Sequence, residues 1–142
     1  MEVRFWAATD SGRKRSHNED NYLVDRKLRL FLVCDGMGGH AAGEVASAAA
    51  IQTVREEVFE GISKATNGSG SHRESVEKAE IFELLERAVR KASERVRSMA
   101  QSDQAREGMG TTCSLMMFVG GRGFVAHVGD SRIYRLGGDD AT

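Results

Sequence analysis

Leu28-Arg29-Leu30-Phe31-Leu32-Val33-Cys34 runs directly into Asp35-Gly36-Met37-Gly38-Gly39-His40, and this stretch decides the fold. The first part is apolar apart from Arg29, short, and bounded by a turn signal, so residues 28–34 read as a central strand. The glycine-rich turn ends it. From residue 43 to about residue 59 the composition changes to helix formers, with Val45, Ala48, Ile51 (or Gln52), Val54 and Val58 at helical spacing. Glu44 falls in the first turn, where the helix dipole favours an acid. Gly61 reads as the stop.

Working outward, residues 67–71 (Asn-Gly-Ser-Gly-Ser) form a linker to a second helix over residues 74–101. Its apolar stripe is Ile81, Leu85, Ala88, Ala92, Val96 and Met99. Glu83–Arg87 and Glu86–Arg90 are acid-first pairs one turn apart, the better orientation. Strand signals return at residues 111–119, at 124–128 after the Gly120-Gly121-Arg122-Gly123 hairpin turn, and at 131–136. On the N-terminal side, residues 3–9 read as a first strand, residues 10–20 as a polar loop and residues 21–25 as a short strand. Strands, two helices, then strands is an α+β order with an antiparallel sheet, not an alternating βαβ pattern.

At 142 residues the chain is one domain by length, and 40% hydrophobic with 29% charged residues is an ordinary globular balance. Its 20 basic and 21 acidic residues give a net charge of -1, which argues against nonspecific binding to nucleic acid or to an anionic membrane. No apolar stretch is long enough for a signal peptide or a membrane span. Cys34 and Cys113 each lie in an apolar run and read as small buried hydrophobes; a disulfide between them is open, but with no framework of further cysteines around it the reading is a reducing cytoplasm. Met37, Met99, Met109, Met116 and Met117 read as core filling.

Acids gather where strands end: Glu19 and Asp20 after the first loop, Asp35 at the close of the central strand, and Asp130 between two strands. A single acid beside glycine is more often a turn residue. Several converging on one place would suit a hard divalent cation such as Mn²⁺ or Mg²⁺, which takes oxygen ligands and water. Gly36, lacking a Cβ, lets a carbonyl approach such an ion. The Arg13-Lys14-Arg15 cluster is either a solvated loop or a guanidinium fork for phosphate. His40 is either a polar surface residue at a helix start or a proton donor, and the four histidines have no zinc-ligand spacing. The glycine turn matches neither the Walker pattern nor the dinucleotide fingerprint.

Four segments carry a resemblance: residues 9–20, with Asp10-Ser11-Gly12 and Asn18-Glu19-Asp20; Val33-Cys34-Asp35-Gly36-Met37-Gly38-Gly39-His40; Gly108-Met109-Gly110-Thr111-Thr112; and Val128-Gly129-Asp130-Ser131-Arg132. In this order and spacing the chain resembles the PPM, or type-2C, metal-dependent protein serine/threonine phosphatases, of the bacterial kind, over nearly its whole length. The resemblance implies a β-sandwich of antiparallel sheets flanked by helices, with two Mn²⁺ or Mg²⁺ ions, and a third in bacterial members, at one end. It implies that Asp35 bridges the two metals and Gly36 supplies a carbonyl ligand. Glu19 and Asp20 become further ligands, directly or through water; Arg15 clamps the substrate phosphate, and Asp130 binds the third ion. A hydroxide bridging the metals would then attack phosphorus in line, with no covalent intermediate. Met37 replaces the histidine of many eukaryotic members, which leaves the general acid to a bound water or to His40.

The resemblance also implies phosphorylated protein substrates, opposition to a Ser/Thr kinase, and a catalytic domain longer than this chain. Residues 1–142 are therefore expected to be the N-terminal part of one such domain, lacking a later Ser-Asp-Gly segment and a late Asp-Asn that supply metal ligands. Exposed apolar sheet surface and self-association are expected of such a piece. The alternative is a non-catalytic relative that keeps phosphate or metal affinity as a regulatory binding module.

Overall fold

The computed structural model describes residues 2–38, 42–68, 75–137 and 140–141. Along the chain run β1 (Asp20–Asp25), β2 (Leu30–Met37), α1 (Ala42–Ala65), α2 (Lys78–Ser102), a 3-10 turn (Gln104–Arg106), β3 (Gly110–Thr111), β4 (Cys113–Val119), β5 (Arg122–Val128), β6 (Leu136–Gly137) and β7 (Asp140–Ala141). One antiparallel sheet has the order β1-β2-β4-β5, with β3 pairing β2 as well; β6 and β7 form a separate ladder. Both helices cover the same face: α1 packs on β1 and β2, and α2 packs on α1 and reaches β5. The α+β class and the antiparallel sheet flanked by helices are as the sequence implied.

Alternation sets the core. Leu30, Leu32 and Cys34 of β2 and Cys113, Leu115, Met117 and Val119 of β4 turn under the helices and are buried. Ala46, Ala50, Val54 and Val58 of α1 meet them, with Ile81, Leu85, Ala88, Ala92 and Val96 of α2 closing the layer. Each such Leu or Ile contributes about 1.5–3 kcal/mol by leaving water. The β4–β5 hairpin closes through Gly120 and Gly121, both at positive φ (55° and 75°), the two-residue turn that matches strand twist.

Several expectations need correction. Residues 3–9 form no strand: Phe5 stacks on Phe31 at 5.5 Å between ring centroids and takes the Arg26 guanidinium at 5.2 Å, so the segment lies over the sheet's outer face, not beside an edge. Residues 131–135 likewise make no ladder, and the strand signal is used only from Leu136. Segments 5–7 and 131–133 instead border one apolar cavity of about 290 Å³ against that face. The run 111–119 splits at Thr112, whose hydroxyl is engaged at the site described below.

Gly61 does not stop α1. The helix continues to Ala65, and a Cβ at Gly61 would lie 2.2 Å from Leu84 Cδ1, so this glycine is where α2 presses closest. The stop comes at Asn67 and Gly68, both at positive φ, with Gly68 N–H donating to Ser63 O at 2.8 Å. Ala48 faces solvent because α1 buries a broad face, one side on the sheet and the other on α2. Arg87 reaches Glu57 of α1 at 3.8 Å, not Glu83, while Glu86–Arg90 forms as expected. Met109 and Met117 fill the core, but Met37 is 65% exposed.

Tyr22 and Val33, at 48% and 53% exposure, stand with Phe31, Met116 and Phe118 on the sheet face that no helix covers. Among the described residues no helix is long and apolar enough to cross a membrane.

Candidate functional site

The β1–β2 register places Asp20 directly opposite Asp35. Both carboxyls are on the face away from the helices, at the end of the sheet where β2 approaches α1. The Asp20 carboxyl is held above the ordinary carboxylate range, first by burial, then by the charge of Asp35 and a hydrogen bond shared with it; Glu19 adds to the shift and Arg15 opposes it. Two carboxylates are thus forced together with no cation side chain hydrogen-bonded between them among the described residues.

Beside them, Gly36 touches the start of α1. A Cβ there would lie 2.1 Å from Gly43 O and 2.6 Å from Glu19 O. The absence of a side chain lets strand, helix and the Glu19 backbone close on one another. Gly43 N–H donates to Glu19 Oε1 at 3.2 Å, so this carboxylate sits at the positive end of α1. Ser47, fully buried, donates to Glu19 O at 2.7 Å and accepts from Asn21 Nδ2 at 2.8 Å. These bonds fix the residues on either side of Asp20 to the helix.

On the other flank, Asp35 N–H donates to Thr112 Oγ1 at 3.0 Å, and Thr112 N–H donates back to Asp35 O at 2.9 Å. The Thr112 hydroxyl, accepting from Asp35 N–H, also shares a hydrogen bond with the Ser131 hydroxyl at 2.8 Å, in which either can donate. Thr111 Oγ1 donates within the same group, to Asp35 O (3.1 Å) or Thr112 O (2.9 Å). Gly129, at φ 109°, packs against Thr112 and carries the chain into Asp130. A neighbouring pair, Ser114 Oγ and His127 Nδ1 at 2.9 Å, with His127 Nε2 donating to Gly129 O at 3.0 Å, holds the end of β5.

Arg15, Glu19, Asp35, Gly36, Met37, Gly38, Thr111, Thr112, Gly129 and Asp130 line one open cleft of about 500 Å³. Arg15, Glu19, Asp35, Gly36 and Asp130, from three separate stretches of sequence, therefore meet in space. Asp20 joins them through Asp35. His40 lies outside the described residues, as do Gly39 and the linker residues 69–71.

The oxygen donors fit a hard divalent cation: a carboxylate pair whose mutual repulsion raises Asp20, a third carboxylate at a helix end, and a strand carbonyl without a side chain over it. Among the described residues no three His, Cys, Asp or Glu side chains converge into a ready ligand set. Sequence reasoning assigned no role to Ser47, Asn21, Thr112 or Ser131. Thr111-Thr112 was visible within its motif, but hydroxyls that hold the site from 26 or more residues away leave no local signal.

The protein phosphatase 2C family model matches residues 9–142. The chain is 34% identical over 135 residues to the serine/threonine protein phosphatase PstP of Mycobacterium tuberculosis, covering 94% of this chain and 23% of that protein. It is 34% identical over 134 residues to the serine/threonine phosphatase stp of Listeria innocua, covering 92% of this chain and 49% of the relative. Among solved structures, the catalytic domain of PstP in complex with two manganese ions superposes with a TM-score of 0.78 at 32% identity, over 98% of this chain and 53% of that one. The chain thus spans about half the length of the Listeria relative and of the PstP catalytic domain, and less of full PstP.

Proposed function

Because this chain belongs to the protein phosphatase 2C family, we propose that it serves the hydrolysis of phosphoserine and phosphothreonine in proteins, opposing a serine/threonine kinase. The observation that carries this reading is the single cleft lined by Arg15, Glu19, Asp35, Gly36 and Asp130. Asp20 and Asp35, with the Gly36 carbonyl, would hold Mn²⁺ or Mg²⁺, Glu19 acting directly or through water and Asp130 serving a further ion. Bound there, the cations supply an activated water and charge neutralisation for a phosphoryl group. Arg15 offers a guanidinium to two phosphoryl oxygens, orienting them and stabilising charge as it builds up. Thr112 fixes the Asp35 backbone, and Gly43 N–H holds the Glu19 carboxylate, so Glu19 needs little rearrangement on binding.

A second reading is a phosphate- or metal-binding regulatory module without turnover, favoured by the lack of a convergent acidic trio among the described residues. Calorimetric titration with Mn²⁺ and hydrolysis of a phosphothreonine peptide by the 142-residue chain separate the two. Turnover that requires Mn²⁺, is lost in Asp35→Ala and falls about 10²-fold in Arg15→Ala supports the phosphatase reading. Mn²⁺ or phosphopeptide binding without turnover favours the regulatory module. A chain that binds neither overturns both.

A further inference from the structure

Cys34 and Cys113 are buried in the core and form no disulfide, and the acidic cleft uses neither. The β2–β4 register pairs Val33 with Ser114, and one further step places Cys34 opposite Cys113. Ladder bonds fall at the odd-numbered β2 positions: Phe118 N–H donates to Arg29 O at 3.1 Å and Thr112 N–H to Asp35 O at 2.9 Å. Cys34 therefore sits at an intervening position without ladder bonds, where antiparallel strands bring opposed Cα atoms to about 4.5 Å. That spacing lies within the roughly 4.4–6.8 Å that a disulfide spans. Both side chains point to the helix-covered face, where they are buried. Cys113 also lines a cavity of about 300 Å³ between α2 and the sheet, beside Ala92, Val96 and Met109, which gives a small oxidant a way in.

We propose that Cys34 and Cys113 are a redox modification site that closes to an intramolecular disulfide across β2 and β4. With hydrogen peroxide as oxidant, the Cys113 sulfur attacks one peroxide oxygen, giving a sulfenic acid and one water. The Cys34 sulfur then displaces the sulfenic hydroxyl, which leaves as a second water, and the S–S bond forms. Two thiols lose two hydrogens and two electrons, and the peroxide gains them; a dithiol reductant reverses the change. The bond falls one residue from Asp35 and one from Thr112, so it ties together the two strands that shape the acidic cleft. The inference is independent of the phosphatase reading, since it needs only the strand pair.

The test treats the folded 142-residue chain with hydrogen peroxide, or with oxidised glutathione as a second oxidant. Remaining thiols are then alkylated in denaturant, and intact mass and non-reducing peptide maps are recorded. The expected result is loss of two hydrogens per chain, loss of both alkylation sites, and a Cys34–Cys113 linked peptide, all restored by dithiothreitol. Retention of both alkylation sites overturns the proposal. So does sulfinic acid on one cysteine without a linkage, or a linkage only between chains. Cys34→Ala and Cys113→Ala should each lose the intramolecular link, while the wild-type measurement stands whether or not they fold.

Discussion

Replacing Gly36 by Ala tests the contact on which the cleft is built. The added methyl carbon would arrive 2.1 Å from Gly43 O, 2.5 Å from Gly43 C and 2.6 Å from Glu19 O. All three are backbone atoms, so no rotamer change relieves the overlap, and α1 and β2 must part by more than about 1 Å to restore contact distance. Burying one methyl gains about 0.8 kcal/mol, whereas overpacking of this kind costs about 1–3 kcal/mol and more where backbone must move. The expected net loss is about 2–3 kcal/mol, or about 8–12 °C in Tm for a domain of this size. Because Glu19 shifts with the contact, Mn²⁺ affinity should also fall about tenfold. Urea titration followed by circular dichroism gives the first quantity and calorimetry the second. Gly137→Ala, with nothing within 4 Å of its new Cβ, is the control. Gly43→Ala, meeting Gly36 C and Met37 N at 2.7 Å, should destabilise less, since a helical Gly→Ala change recovers up to about 1 kcal/mol of propensity. A Gly36→Ala chain within about 0.5 kcal/mol of wild type would refute the idea of direct strand–helix contact.

Asp25 anchors the β1–β2 turn. Burial alone would raise its pKa, but the Leu28 N–H, the Arg55 guanidinium at 2.9 Å and the Lys27 N–H together hold it below the ordinary range. Its stabilisation is therefore present above the unfolded carboxylate pKa and lost as pH falls through the depressed folded value. Asp25→Asn should cost about 1–3 kcal/mol near neutral pH, and the gap to wild type in urea midpoint should close in acid. Asp20 has the opposite sign: its raised pKa adds stability below the ordinary carboxylate value that is lost as pH rises through the folded one. Asp20→Asn should thus stabilise the metal-free chain near neutrality, by no more than about 1 kcal/mol given its solvent screening, while weakening Mn²⁺ binding in calorimetry. The uncovered sheet face predicts self-association of the 142-residue chain; Val33→Glu should lower the mass measured by light scattering, and an unchanged mass would place any contact elsewhere.

The site was legible in outline because its donors are chemically distinctive and sit in short glycine-flanked motifs. Arg15, Glu19, Asp35, Gly36 and Asp130 were chosen from sequence, and they line one cleft. The two long helices and strands β1, β2, β4 and β5 were legible because periodicity is local. What failed was whatever depends on a partner. Residues 3–9 have strand composition but no ladder, since a strand exists only by hydrogen bonds to a neighbour that the sequence does not name. Gly61 has stop composition but lies where Leu84 needs room.

The sequence by itself determined the inventory: antiparallel strands around two amphipathic helices, acids and a guanidinium suited to a divalent cation and phosphate, and apolar cysteines. Tertiary structure decided the register that sets Asp20 against Asp35 and Cys34 against Cys113, and the close approach that seats Gly36 on Gly43. Register and approach are relations between segments far apart in the chain. They are fixed by which faces must be buried together, and that depends on all the elements at once.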